Sequence, residues 1–273
     1  MTLTISPDEY NRFRQMLETS SGIMLGEGKE YLVTSRLRRL LERESLTSVA
    51  ELLKVMTTNR SLQEAVVDAM TTNETLWFRD DHPYRIFREK LLPEMAKTRR
   101  PVKIWSAACS TGQEPYSLSI EIEEYKRKNP GVLVAGERIV ATDISASALA
   151  AAKEGRYQQL AIRRGMSDQY LKSYFSQLPD ESWAINSQVK SRVDFRAQNL
   201  QQSYSLLGKF DIIFCRNVLI YFSADLKTDI LKRMHASLNP GGYLMLGASE
   251  AMNNLQDYYE MVQCHPGIIY RAK

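Results

Sequence analysis

From residue 101 onward the chain alternates short apolar runs with helical patterns, and this alternation limits the fold more than any other feature. The runs cover residues 102–107, 138–142, 193–198, 210–216, 242–246 and 268–271. Most are dominated by apolar residues and all are too short for a helix, so they read as the strands of a sheet covered on both faces. Helical periodicity fills 115–128, 146–154 and 224–237, and a further helix is read at 255–260. Strands separated by helices predict an α/β fold, a doubly wound and mostly parallel sheet with helices on both faces. The last strand follows its predecessors too closely for a crossover helix, so it is predicted to run antiparallel. Between 155 and 192 the rhythm breaks. Residues 166–174 read as helix, and 182–186 and 188–192 as short strands around a turn, which predicts a small β-subdomain inserted at about 156–192.

Residues 1–70 read as helices alone. Ser6-Pro7-Asp8-Glu9 marks a helix start, with Ser6 as N-cap and Pro7 in the first turn. Phe13, Met16 and Leu17 follow at helical spacing. After a turn holding Gly22 and Gly28, a helix over about 30–43 carries Val33, Leu37, Leu40 and Leu41 as its apolar stripe. Beside that stripe Arg36, Arg39 and Arg43 share one face, with Arg38 nearby. Thr47 is read as the cap of a third helix, and 62–70 as a fourth. The predicted division is a helical unit over 1–70, a linker over 71–100 and a strand-and-helix domain over 101–273. The arginine face suits an acidic partner helix, and equally a solvated surface with local ion pairs to Glu42 and Glu44.

Composition excludes several function classes. A chain of 273 residues with 44% hydrophobic and 25% charged residues is long enough for a sizeable core. No apolar run reaches 18 residues, and MTLTISPDEY lacks a basic, then apolar leader, so a cytoplasmic location without membrane insertion is expected. Three widely spaced cysteines, Cys109, Cys215 and Cys264, predict neither a disulfide framework nor a metal site. A net charge of +4 permits an acidic partner without requiring nucleic acid.

The segment KIWSAACSTGQEPYS at 103–117 runs from strand through small residues into helix, the layout of a nucleotide-binding loop. It lacks the G-x-G-x-x-G of dinucleotide sites and the G-K-[ST] of phosphate loops, and Glu114 would repel phosphate. A phosphate-free ligand with a cationic part fits better, and S-adenosylmethionine has both a sulfonium and an amino group. Asp143 ends the next strand, where doubly wound folds place a carboxylate for ribose hydroxyls. Taken singly, the first loop is also an ordinary strand-to-helix turn, Asp143 a helix cap, and Asn239-Pro240-Gly241-Gly242 turn chemistry. Their order and spacing together favour a methyltransferase. Enzymes methylating exocyclic amines of nucleic acid often carry N/D-P-P-Y/F after the fourth strand; this chain has Arg216-Asn217-Val218-Leu219 there.

With TTNETLWFRD at 71–80 before it and FCRNVLIYF at 214–222 after it, CSTGQEPYS closely resembles the chemotaxis receptor methyltransferases, the CheR family. The resemblance covers nearly the whole chain. It implies methyl transfer from S-adenosylmethionine, leaving S-adenosylhomocysteine, to glutamate side chains on the cytoplasmic helices of chemoreceptors. By that resemblance Asn73, Thr75 and Arg79 reach the cofactor from the linker, Glu114 meets its amino-acid end and Asp143 its ribose. Asn199, Leu200, Arg216 and Asn217 line the adenine and the neighbouring wall, and Arg79 with Tyr221 orients the substrate carboxylate. Arg36, Arg38, Arg39 and Arg43 become the docking face for an acidic receptor helix. The inserted β-subdomain resembles one that some members use to hold a receptor carboxy-terminal peptide by strand addition.

That chemistry needs few groups. A glutamate carboxylate is ionised at neutral pH, its unperturbed pKa being about 4.3, so no general base is required. Two other functions stay open on residues alone: a methyltransferase acting on RNA or a small molecule, and a non-catalytic module that senses the cofactor.

Overall fold

The computed structural model describes residues 3–252, 254–265 and 267–273. Four helices come first: α1 (Pro7–Ser21), α2 (Glu30–Arg43), α3 (Val49–Met56) and α4 (Arg60–Met70). Their apolar stripes close on one another in a single cluster that includes Phe13, Leu17, Val33, Leu37, Leu52 and Val66. At the start of α1 the Ser6 hydroxyl accepts from Glu9 N at 3.3 Å while the Glu9 carboxylate accepts from Ser6 N at 2.7 Å, a reciprocal capping box. The cap of α3 is Ser48, one residue later than expected; Thr47 instead donates its N–H and hydroxyl to Glu51.

A connecting segment with α5 (His82–Ile86), a π turn (Phe87–Leu91) and α6 (Leu92–Thr98) then packs on one face of the sheet. The sheet is built from β1 (Val102–Ala107), α7 (Gln113–Lys128), β2 (Glu137–Asp143) and α8 (Ala146–Glu154). The insertion follows, with β3 (Arg156–Tyr157), α9 (Gln159–Arg163), α10 (Asp168–Tyr174), β4 (Phe175–Gln177), β5 (Trp183–Ile185) and α11 (Ser187–Lys190). The chain returns through β6 (Val193–Ala197), β7 (Phe210–Cys215), α12 (Ala224–Ser237), β8 (Leu238–Leu246), β9 (Tyr259–Cys264) and β10 (Gly267–Ala272).

Seven strands form one sheet in the order β6-β2-β1-β7-β8-β10-β9. The first five pair in parallel, and β10 runs antiparallel to both β8 and β9. Strand order therefore reverses at β1, the place where open parallel sheets bind ligands. Alternation along the strands supplies two cores. Ile104, Ile139, Ile212 and Phe214 face the π turn and α7, whereas Trp105, Val140, Ile213 and Cys215 face α12.

Two further expectations need correction. The helix read at 255–260 is absent. Tyr258 and Tyr259 N–H groups both donate to Leu255 O in one turn, and the chain then enters β9, the last strand of the sheet among the described residues. The strand read at 188–192 is instead the short helix α11, with Val189 buried in a cluster with Tyr116 and Ile120 of α7 and with Tyr174 and Ile185. The insertion does hold a β element, but its three strands are β3-β5-β4, all antiparallel. No helix among the described residues is long and apolar enough to cross a membrane.

Candidate active site

Beneath the helical unit, the carboxyl ends of β1, β2, β6 and β7 open into a cavity of about 290 Å³, near the ~300 Å³ lower end of ligand pockets. The loop after β1 forms its floor. Ala108, Ser110 and Gly112 there take φ values of 58°, 52° and 94°. The single glycine stands where it is needed, because a Cβ at Gly112 would lie 3.0 Å from Ala152 and 3.1 Å from the Tyr157 hydroxyl. Phe78, Asp80, Asp81 and Asn217 are also left-handed, at φ 49°, 68°, 51° and 58°. Such backbone costs about 1–3 kcal/mol per residue and persists where the surroundings enforce it, commonly at ligand sites.

Asn73, Thr75, Arg79, Glu114, Asp143, Asn199, Leu200, Arg216, Asn217 and Tyr221 all line this cavity. Glu114 stands in the first turn of α7, where the helix dipole favours an anion. Its carboxylate accepts from the Ser106 hydroxyl at 2.8 Å and from Arg216 at 3.1 Å. Burial lifts its pKa above the usual carboxylate range, while Arg216 and Ser106 pull it down. Arg216, with a side chain only 2% exposed, also donates to Asp80 at 2.7 Å and to Arg79 O at 2.8 Å. Among the described residues, its Nε–H and the hydroxyl of fully buried Tyr84 have no hydrogen-bond partner. Asp143 accepts from Ser110 N at 2.7 Å and Ser145 N at 2.9 Å. Burial raises it too, against these backbone donors. Burial also pushes the thiols of Cys109 and Cys215 up, so both stay protonated and unreactive.

Contacts between the helical unit and the sheet surround the opening. Asn199 lines the cavity, but its amide is engaged with Ser20 O at 2.8 Å and Gln201 N at 2.9 Å. Met24 N donates to Tyr221 O at 2.9 Å, and Asp68 accepts from Ser145 and Ser147. Asn73 donates to Ser145 at 3.2 Å while its carbonyl accepts from Ser110 at 2.9 Å.

The arginine face of α2 divides. Arg36 is not a free docking group: its guanidinium donates to Met70 O at 2.6 Å, Thr71 O at 3.0 Å and the Thr72 hydroxyl at 2.9 Å, fastening the linker to α2 beside the cavity. The carbonyls at the end of α4 need donors, and Arg36 supplies them. Arg43 pairs with Glu44 at 2.9 Å. Arg38 and Arg39 are exposed and, among the described residues, carry no ion pair or hydrogen bond. None of the last three lines the cavity. The sequence pattern gave no sign of Tyr84, nor of Leu25, Lys29 and Leu32 from the helical unit, although the glycine-bearing turn before α2 was the available hint.

Residues 8–71 match the family described as "CheR methyltransferase, all-alpha domain", and residues 73–268 match "CheR methyltransferase, SAM binding domain". The chain belongs to the CheR methyltransferase family. A Pseudomonas aeruginosa protein named chemotaxis protein methyltransferase 1 is 56% identical over 97% of this CheR-family chain and 98% of its own length. The Vibrio cholerae protein of the same name is 55% identical over 99% of both. Chemotaxis protein methyltransferase Cher2 of Pseudomonas putida is 53% identical over 97% and 98%. The CheR-family cofactor is S-adenosylmethionine, and the buried donors and acceptors suit it. Anionic Glu114 and Asp143 would oppose phosphate and favour a cationic, hydroxyl-bearing ligand.

Proposed function

We propose that the protein methylates glutamate side chains on the cytoplasmic helices of chemoreceptors, setting receptor adaptation, with residues 1–70 recognising the substrate, 71–100 linking and 101–273 holding the cofactor. The observation that carries this reading is the state of Arg79 and Tyr221. Both are half-buried at the cavity, and among the described residues neither has a side-chain ion pair; Arg79 makes one 3.4 Å bond to Glu74 O. A cationic fork and a hydroxyl left uncommitted at the mouth suit an incoming carboxylate.

S-adenosylmethionine, when bound, supplies a methyl carbon made electrophilic by its sulfonium. The protein's task is then alignment, which contributes roughly 7–11 kcal/mol in favourable intramolecular systems. Glu114 and Arg216 present opposite charges side by side and suit the zwitterionic amino-acid end. Asp143 keeps lone pairs beyond its two backbone bonds and suits the ribose hydroxyls, while Leu200, Asn217 and the Asn199 backbone suit the adenine wall. A tight ion pair would stabilise the nucleophile and slow attack, so Arg79 orients the carboxylate more than it neutralises it, with Tyr221 sharing the contact. The exposed Arg38 and Arg39 suit an acidic helix, and the β-subdomain edge suits a receptor carboxy-terminal peptide.

Transfer of labelled methyl to cytoplasmic receptor fragments tests the proposal. Arg79→Ala and Tyr221→Phe are expected to lower turnover at least tenfold while changing S-adenosylhomocysteine affinity far less. No transfer to receptor fragments by wild type, or transfer to RNA or small acceptors instead, would refute it.

A further inference from the structure

The hydroxyl of Tyr84 is the one buried polar group of the cavity wall that neither the sequence motifs nor the fold accounts for. Tyr84 sits on α5 and is 1% exposed. Its ring packs edge-on against Phe78, with centroids 5.3 Å apart, and belongs to the core cluster of Ile86, Phe87, Ile104 and Phe214. Phenylalanine would satisfy that packing equally well. The hydroxyl is the difference, and among the described residues it has no hydrogen-bond partner.

The acceptors around it are taken. Glu114 receives from Ser106 and Arg216, and Asp80 and the Arg79 carbonyl receive from Arg216. The Arg216 guanidinium carbon lies 5.8 Å from the Tyr84 ring centroid. A guanidinium only donates, so whatever reaches the phenol oxygen from Arg216 leaves the phenol proton without an acceptor. Burial pushes the Tyr84 pKa far up, with Glu114 adding to it, so the proton stays in place. The Nε–H of Arg216 is likewise buried and unpaired. Two donors without acceptors thus meet beside one buried carboxylate, on the wall of a cavity.

An unpaired buried donor is unfavourable unless a ligand supplies what is missing. Two donors call for two acceptor atoms, which a carboxylate provides, and the adjacent Glu114 calls for an ammonium. We propose that Tyr84 is a cofactor-binding residue: its hydroxyl, with Arg216 Nε, receives the α-carboxylate of the cofactor's amino-acid end and fixes the donor lengthwise. This rests on the reading of Glu114 as the contact for the neighbouring amino group.

Calorimetry on the full chain with two probes tests it. S-adenosylhomocysteine has the amino-acid end, and 5′-methylthioadenosine lacks it. Tyr84→Phe is expected to weaken the first about tenfold, the range of a hydrogen bond to a charged group, and to leave the second unchanged. The thermal midpoint of the ligand-free variant should hold or rise, because a hydroxyl without a partner is removed. Equal weakening of both probes would make Tyr84 merely structural, and no weakening of either would overturn the assignment. Glu114→Gln separates the two readings. If it abolishes the preference for S-adenosylhomocysteine while Tyr84→Phe does not, the Glu114 reading survives and the Tyr84 one fails. If wild type itself shows no preference, both fall together.

Discussion

A carboxylate that is buried beside an arginine and, in the proposed function, meets an ammonium is acid-sensitive in a particular direction. Burial raises the pKa of Glu114, with Arg216 and Ser106 only partly offsetting it. On acidification it therefore takes up a proton above the usual Glu value of about 4.3, and the protonated form has no charge for the cofactor's amino group. Affinity for S-adenosylhomocysteine should fall as pH drops through the raised pKa. Fold stability moves the other way: a raised acid pKa means the folded chain holds the proton more tightly, so this group's contribution is present at low pH and lost as pH rises through that interval. In Glu114→Gln, calorimetry between pH 5 and 8 should give affinity about tenfold lower at neutral pH and a shallower fall on acidification, the remaining slope coming from Asp143, whose pKa burial also raises; an unaltered slope would contradict the assignment. Glu114 and Asp143 were legible in the sequence because an acid closing an apolar strand, or opening the next helix, is conspicuous. Arg36 and Tyr84 were not. The carbonyls that occupy Arg36 lie 34 and 35 residues away, and Tyr84 is defined by a missing partner, which no local pattern records.

One turn of chain holds another in place behind the site. Glu250, after β8, accepts from the N–H groups of Asn217, Leu219 and Gly247, each at 2.8 Å. A Cβ at Gly247 would come within 2.7 Å of that carboxylate and 2.8 Å of Asn217 N, so only glycine allows the approach. The segment fixed in this way contains left-handed Asn217 and the short 3₁₀ turn Leu219–Tyr221, which presents Tyr221 to the cavity. Glu250→Gln replaces one acceptor oxygen with a donor facing N–H groups, which costs about 1–3 kcal/mol. Methyl transfer should drop at least tenfold, S-adenosylhomocysteine affinity less, and the thermal midpoint by several degrees; an unchanged transfer rate would mean that the turn holds itself. Elements with deep apolar contrast, such as β1, β7 and α12, were readable from the sequence. At 255–260 the reading failed because Leu255 and Tyr259 both enter the α12-facing core at a four-residue interval. That interval imitates a helix although a turn and an edge strand produce it. The strand read at 188–192 failed for a related reason: one helical turn with a single buried valine is too short to show a period.

At the scale of the whole molecule, α2 and the turn before it line a cavity made by the sheet, through Met24, Leu25, Lys29, Leu32 and Arg36. The net charge of +4 on 273 residues is too small to steer a partner by itself, and any steering must come from local charge. Arg36 keeps its charge but is tied down by carbonyls and a hydroxyl of the linker, and Arg43 is paired with Glu44. Arg38 and Arg39 remain exposed on α2 as the charges available to an acidic helix. Exposed charges act through solvent, where screening sets in over about 10 Å at 0.1 M salt and about 3 Å at 1 M. Reversing both, Arg38→Glu with Arg39→Glu, should therefore cut kcat/KM for receptor fragments roughly tenfold at low ionic strength, mainly through encounter. The difference from wild type should close as salt approaches about 1 M, and S-adenosylhomocysteine affinity should not move, because neither residue lines the cavity. A loss that persists at high salt would point to a steric or folding defect. No loss at low salt would remove α2 from substrate recognition and leave the β-subdomain edge as the surface by which the receptor is held.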